Sequence, residues 1–228
     1  MTNRYVIKFS KTGYIKYTSH LDLMRAFKRA FKMAGLGLRY SQGFNPHPKM
    51  SFAQPLSLGY SSKCELIELE TNEHFKPVEI LDRIEGKLPE GIETLGCYEF
   101  NDNIKSLASI SDSAKYRIYV PSNNEISIDN LVNNISKTLG KNVLNAEKKS
   151  KKSKEVKEIN IKPMIRSYEV GKLGEFATID ILLDSGSQSN LSPELVIQVI
   201  LNNNELNIDR TEIEVERTGL FFKPEILF

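Results

Sequence analysis

The order in which strand-like and helix-like segments follow one another is the feature that most restricts the fold of this 228-residue chain. Alternating apolar side chains predict strands at residues 4–10, 36–41, 64–71 and 92–100. Apolar side chains at helical spacing predict helices at residues 19–34 and 76–88. The resulting order, β-α-β-β-α-β, is that of a ferredoxin-like unit.

The same order of elements is repeated in the second half of the chain. Strands are predicted at residues 115–120, 156–165, 175–183 and 207–217, and helices at residues 128–139 and 192–201. A chain of this length has room for two domains of roughly 100 residues each. We therefore predict an α+β protein made of two tandem ferredoxin-like units, residues 1–104 and residues 112–228.

Formal charge is divided unevenly along the chain. Residues 1–60 contain ten lysine or arginine residues and one acidic residue, Asp22, so they carry a charge of +9. Residues 61–228 carry −7, which leaves a net charge of only +2. An excess of this size favours a surface for a polyanion; the alternative is a set of basic residues that only solvate one face.

The first predicted helix concentrates part of this charge on one side. Its apolar residues would pack on the sheet and leave the opposite side to basic residues at positions i, i+3, i+4 and i+7. Like charges at this spacing repel each other by about 0.2–0.5 kcal/mol per pair, and a bound anion would relieve that repulsion. We call this set the basic stripe; it consists of Arg25, Lys28, Arg29 and Lys32.

Residues 39–52, which we call the basic-aromatic loop, alternate basic and aromatic residues between glycine and prolines. This pattern suits a protein that neutralises phosphates and stacks bases. A structural loop over the sheet edge, with Phe44 and Phe52 as core side chains, is the alternative. The candidate nucleic-acid-binding residues in this loop are Arg39, Tyr40, Phe44, His47 and Lys49.

His20 and His47 are the histidines of the basic region, and either could act as the base in a reaction on RNA. Lys16 or Arg39 would then be the electrostatic stabiliser. A packed or hydrogen-bonded ring is the more common role for a histidine in the first turn of a helix. His20 and Asp22 diverge on a helix, and the sequence holds no phosphate-binding glycine loop, so neither a metal nor a cofactor is expected.

A lysine-rich segment interrupts the second unit. Residues 148–157 contain six lysines, and residues 148–154 contain no apolar side chain. Such a run repels itself, so we expect a mobile loop or strand tip. A solvated hairpin end is the default role; a mobile arm that reaches phosphates is the alternative.

No stretch of the sequence reaches the roughly 20 apolar residues of a membrane span, and its first residues form no apolar signal segment. The two cysteines, Cys64 and Cys97, cannot form a disulfide framework. We therefore expect a cytoplasmic protein without a membrane segment.

Three motifs in the first quarter of the chain resemble a known family. They are Phe-Ser-Lys-Thr-Gly at 9–13, Ser-His-Leu-Asp-Leu at 19–23 and Tyr-Ser-Gln-Gly-Phe-Asn-Pro-His-Pro-Lys at 40–49. They are similar to the radical SAM-linked protein family, a bacterial domain of unknown function that occurs alone or as the C-terminal extension of a radical S-adenosylmethionine (SAM) protein. The resemblance implies a radical SAM protein as partner and, through neighbouring translation-related genes, a link to tRNA or rRNA. With two cysteines, the chain cannot itself hold the iron–sulfur cluster of such an enzyme.

Three functions fit these observations. The leading hypothesis is an accessory RNA-binding module that presents the basic stripe and the basic-aromatic loop to a structured RNA and partners a radical SAM RNA-modifying enzyme. The second is a metal-independent RNA-cleaving enzyme that uses His20 or His47, by analogy with tandem ferredoxin-like endoribonucleases that process CRISPR repeat RNA. The third is a protein-interaction domain that docks on a radical SAM protein.

Overall fold

A computed structural model shows a mixed α+β fold with a mostly antiparallel sheet and, among the described residues, five helices. The structure describes residues 3–123, 126–149, 156–204, 206–224 and 226. They group into two units: unit 1 holds the described residues up to Asp112 and from Leu220 onward, and unit 2 is Ser113–Gly219. Within the described part of the chain, no helix is long and apolar enough to cross a membrane.

Unit 1 is built on an antiparallel sheet. Its strands are β1 (Arg4–Lys11), β2 (Met50–Phe52), β3 (Ser61–Glu70) and β4 (Thr94–Glu99). Its helices are α1 (His20–Met33), α2 (Pro77–Ile84) and the short α3 (Leu107–Ile110). Strand β1 lies between β4 and β3, and β2 pairs with the C-terminal part of β3.

Both faces of strand β1 are buried in unit 1. On one face, Phe9 packs against Phe27 of α1 within the larger hydrophobic core. On the other face, Val6 belongs to a second cluster with Leu107 and Phe222. Six of the eight residues of β1 are therefore buried, and four of these six are apolar: Tyr5, Val6, Ile7 and Phe9.

The last described segment of the chain belongs to unit 1. Phe222 lies in the same cluster as Val6 and Leu107, and the backbone N–H of Lys223 donates to the carbonyl of Ile110 at 2.8 Å. The structural grouping thus differs from the sequence-based boundaries 1–104 and 112–228, which assign this segment to the second unit.

Unit 2 contains a second antiparallel sheet region and two helices. The strands that lie wholly or mostly in it are β5 (Ser111–Pro121), β6 (Asn145–Lys149), β7 (Val156–Asn160), β8 (Ile165–Leu173), β9 (Phe176–Asp184) and β10 (Glu214–Phe222). The first two residues of β5 and the last three of β10 belong to unit 1. Its helices are α4 (Ile128–Leu139) and α5 (Pro193–Asn204). The strand order is β10-β5-β9-β8, α4 packs on β8 and β9, and β6 pairs with β7 in a separate hairpin.

One strand prediction is wrong, and another is confirmed only in part. Residues 36–41 form no strand; Leu38 and Tyr40 make isolated bridges to Thr71 and Pro48, and β2 pairs with β3 instead. Pro48 has no N–H to donate, which prevents a regular ladder opposite Tyr40. The strand predicted at 156–165 is divided by a 3-10 turn at Lys162–Met164, which contains a proline.

The lysine-rich segment falls on the β6–β7 hairpin. The pairing runs from Asn145 opposite Asn160 to Lys149 opposite Val156. Residues 150–155 lie outside the described residues, so the mobility of this segment stays a prediction.

Candidate nucleic-acid interface

Helix α1 presents the basic stripe because its start, its end and its buried face are all fixed. The backbone N–H of Asp22 donates to the Ser19 hydroxyl at 3.2 Å, a cap that starts the helix. Gly35 follows the helix with φ at +69°, a conformation that glycine adopts without strain. The inner face buries Leu23, Phe27, Ala30 and Phe31, and all four side chains of the basic stripe are exposed.

One acidic side chain accompanies the basic stripe. Asp22 Oδ1 lies 2.8 Å from Arg25 Nη1, and both side chains are exposed. The hydrogen bond from the Ser19 hydroxyl, followed by the one from Arg25, lowers the pKa of Asp22. Within the described part of the chain, Lys28, Arg29 and Lys32 form no salt bridge. Three of the four charges are therefore available to an external anion.

The basic-aromatic loop is folded back on itself by backbone hydrogen bonds. The N–H of Ser41 donates to the His47 carbonyl at 2.8 Å, and the N–H of His47 donates to the Ser41 hydroxyl at 3.0 Å. The N–H of Lys49 donates to the Arg39 carbonyl at 2.8 Å. These bonds close the loop at its base and leave residues 42–47 exposed.

The two phenylalanines of the loop have opposite environments. Phe52 is 7% exposed, and its ring centroid lies 5.8 Å from those of Phe9 and Phe27. Phe44 is fully exposed. The alternative in which both are core side chains is confirmed for Phe52 and wrong for Phe44.

Glu70, which the sequence analysis does not single out, binds the basic residues at both ends of the loop. Lys49 Nζ lies 2.8 Å from Glu70 Oε2, and Arg39 Nη1 lies 3.6 Å from the same oxygen. The β1–β3 register places Arg4 opposite Glu70, with Arg4 Nε 4.0 Å from Glu70 Oε1. The Glu70 side chain is only 18% exposed, so solvent screens these pairs less than pairs on an open surface. Arg39 and Lys49 are thus partly neutralised from within unit 1.

The two candidate catalytic histidines have separate neighbours. The His20 ring meets the Phe52 ring edge to face, with the centroids 5.2 Å apart. His47 lines a pocket of about 290 Å³ together with Ser41, Lys49 and Glu70. The RNA-cleaving hypothesis therefore stays a prediction.

The cysteines are both free thiols, Cys64 buried and Cys97 half-buried. Burial raises the pKa of the Cys97 thiol to about 12, which disfavours the nucleophilic thiolate. Over the residues that the structure describes, no group of three or more His, Cys, Asp or Glu side chains could hold a metal ion.

A chain in the crystal structure of a Cbf5–Nop10–Gar1 complex has a similar fold, with a TM-score of 0.51 and 11% sequence identity. The match covers 95% of this chain and 48% of that one, so this chain spans about half the length of the chain that it resembles. At this identity the likeness concerns the fold alone. No curated protein sequence matches the chain.

A family match covers most of the chain. Residues 4–193 match the bacterial family described as "Uncharacterized protein conserved in bacteria (DUF2344)". The matched range contains the basic stripe, the basic-aromatic loop and Glu70. It also extends through most of unit 2. Because the match spans well over half of the sequence, the chain belongs to the DUF2344 family.

Proposed function

We propose that this protein is an accessory RNA-binding protein whose main phosphate-binding surface is the basic stripe of α1. The observation that carries the proposal is the exposed outer face of α1, where Lys28, Arg29 and Lys32 form no salt bridge within the described residues. Cations that meet phosphates release condensed counterions, and this release favours binding.

Exposed aromatic rings near these cations favour RNA over an acidic protein surface. Tyr40 is 46% exposed, and Lys28 Nζ lies 5.8 Å from its ring centroid. Phe44 is fully exposed on the same loop. Stacking of an unpaired base on an aromatic ring contributes about 1–3 kcal/mol, and an acidic peptide makes no comparable contact.

Arg39 and Lys49 have a secondary part in this proposal. Both already share the carboxylate of Glu70, so a phosphate must compete with a half-buried carboxylate for them. Their first role is to hold the two arms of the loop on β3 and thereby to position Tyr40 and Phe44.

The finer fold assignment, two ferredoxin-like units in tandem, belongs to the same proposal. In unit 2 the chain order β5-α4-β8-β9-α5-β10, with the β6–β7 hairpin inserted before β8, and the strand order β10-β5-β9-β8 support it. In unit 1 the order β4-β1-β3, with β2 beside β3, supports it as well.

The partner proposed for this protein is the one that the sequence resemblance implies, a radical SAM protein that modifies tRNA or rRNA. The similar solved chain also belongs to a multi-protein complex, which supports an accessory role by analogy of fold only. Affinity purification of the tagged protein from its own cells, with and without ribonuclease, tests this part. A partner that is lost after ribonuclease binds through RNA, and one that is retained docks directly.

Substitution of the whole basic stripe tests RNA binding. The variant with Gln at Arg25, Lys28, Arg29 and Lys32 should bind structured RNA more weakly and with a salt slope reduced by up to about 3–4, because each lost phosphate contact removes about 0.7–0.9. A control variant carries the same four-charge change on exposed residues of unit 2, namely Lys115, Lys137, Lys141 and Lys172. Equal losses in the two variants, or wild-type affinity no greater than that of an unrelated protein of similar charge, would contradict the proposal.

A further inference from the structure

A groove in unit 1 lies beside the basic stripe. It has a volume of about 530 Å³ and is lined by Lys28, Lys32, Tyr40 and residues 35–38. This volume lies within the range of small-molecule sites, about 300–1,000 Å³. Arg25 and Arg29, the other two members of the stripe, are not among the lining residues.

The backbone at residues 35–38 is fixed before any ligand arrives. The N–H of Leu36 donates to the Phe31 carbonyl at 3.0 Å, and the Gly37 carbonyl accepts from Asn72 N–H at 2.7 Å. The side chains of Leu36 and Leu38 are buried, which ties this segment to the core of unit 1. A preformed groove costs little ordering entropy on binding.

The polar groups of the groove suit a ligand that carries both a negative charge and an aromatic ring. Lys28 and Lys32 are four residues apart on one side of α1, so their ammonium groups repel each other until an anion binds. Tyr40 offers a half-exposed ring, and Lys28 lies over it at a distance suited to a cation–π contact. An inorganic anion would use the lysines and leave the ring unused.

We infer that this groove binds one unstacked nucleotide of a single-stranded RNA segment. Its phosphate would lie against Lys28 and Lys32, and its base would stack on Tyr40. Bases within a duplex are stacked on each other and do not offer a free face, whereas bases in loops and ends do. This inference rests on the proposed function and names the part of the RNA that this part of the interface recognises.

Two pairs of variants test the groove against the rest of the basic stripe. Lys32→Gln and Arg29→Gln each remove one positive charge from α1, but only Lys32 lines the groove. Tyr40→Leu removes the stacking ring, and Tyr40→Phe keeps it. The probes are a fluorescent oligouridylate without secondary structure and a blunt-ended RNA duplex with the same number of phosphates, titrated by fluorescence anisotropy at one salt concentration.

We expect Tyr40→Leu to weaken oligouridylate binding by about 5- to 150-fold, the equivalent of one lost base stack, while Tyr40→Phe stays near wild type. The duplex, whose bases are stacked on each other, should bind the two Tyr40 variants alike. Lys32→Gln should weaken oligouridylate binding more than Arg29→Gln does. Thermal melts identify any variant that has lost its fold. If Tyr40→Leu does not fold, the inference is tested by whether Lys32→Gln weakens oligouridylate binding more than Arg29→Gln does.

Equal effects of Lys32→Gln and Arg29→Gln, together with wild-type binding by Tyr40→Leu, would overturn the groove as a nucleotide site. The proposed function would survive that result if the variant with Gln at all four positions of the basic stripe still bound RNA more weakly than the wild type. Binding of polyglutamate as tight as that of oligouridylate, with the same dependence on Tyr40, would assign the groove to an acidic protein segment and overturn the inference. Absence of any RNA binding by the wild type would overturn both proposals.

Discussion

The basic stripe and the basic-aromatic loop carry the same kind of charge but differ in what surrounds it. On α1, Lys28, Arg29 and Lys32 form no salt bridge within the described residues, and Arg25 has an exposed partner. In the loop, Arg39 and Lys49 share the half-buried carboxylate of Glu70. The loop's charges therefore serve mainly its own structure, and the stripe's charges are available to a ligand.

This difference shows why a count of basic residues along a sequence is an incomplete guide to a binding surface. An exposed ion pair is worth about 0–1 kcal/mol and is easily exchanged for a phosphate. A carboxylate held on a strand by three basic neighbours is harder to displace. Aromatic residues divide in the same way, since Phe52 supports the core and Phe44 is free to meet a ligand.

The largest expected effect separates these two phenylalanines. Phe52→Ala should lower the free energy of unfolding by about 3–5 kcal/mol, because it removes a buried ring that packs against both Phe9 and Phe27. Phe44→Ala should change it by less than about 0.5 kcal/mol and instead weaken RNA binding. Urea unfolding of both variants measures the contrast. A large loss of stability in Phe44→Ala would mean that the loop tip packs against the protein in solution.

A smaller effect is expected at the start of α1. Ser19→Ala should lower the free energy of unfolding by about 0.5–2 kcal/mol, because the cap of the helix that bears the stripe is lost. The matched control is Ser127→Ala, which removes the cap of α4 in unit 2.

Only the Ser19 variant should also raise the pKa of Asp22 towards its ordinary value, which a carbon-detected NMR titration measures. Since the folded-state pKa of Asp22 is lowered, its carboxylate stabilises the fold above its unfolded pKa, and this contribution is lost as pH falls through the folded value. An unchanged pKa of Asp22 in Ser19→Ala would show that the hydroxyl does not bind the carboxylate.

The smallest expected effect sharpens the comparison of stripe and loop directly. Glu70→Gln should release Arg39 and Lys49, steepen the salt slope of RNA binding by about 0.7–1.4 and raise affinity by less than about tenfold. Glu99→Gln removes the same charge from an exposed position of unit 1 and serves as the control. Identical binding by the two variants would mean that Arg39 and Lys49 do not reach the RNA even when they are free.

Local patterns predicted the elements that depend on local interactions. The helix predicted at 128–139 has those bounds in the structure, and the periodicity of α1 placed the basic stripe on the exposed face. The strand predictions failed where apolar alternation does not decide which segment joins the sheet. Residues 36–41 make only isolated bridges, because β2 takes the place beside β3. β8 pairs with the next strand, β9, across a two-residue turn, and β10 begins later than predicted because a capped 3-10 turn at Arg210–Glu212 precedes it.

For the site, too, the part that depends on local geometry was predictable, and the part that depends on strand pairing was not. The spacing of four basic residues on a helix needs only helical geometry, and the structure has that geometry. The pairing of Arg39 and Lys49 with Glu70 needs the β1–β3 register and the closure of the loop, neither of which a charge pattern contains. Acidic residues at alternate positions of a strand, Glu68 and Glu70, were the available signal that the strand neutralises bases nearby.

The packing of Phe222 beside Val6 and Leu107 has a consequence for how the protein is made. A ribosome that adds about 5–20 residues per second needs roughly 6–23 s to travel from Leu107 to Phe222. During that interval the nascent unit 1 lacks one member of a core cluster, and Val6 has one apolar neighbour fewer. Unit 1 can therefore complete its folding only after the chain of unit 2 has been synthesised.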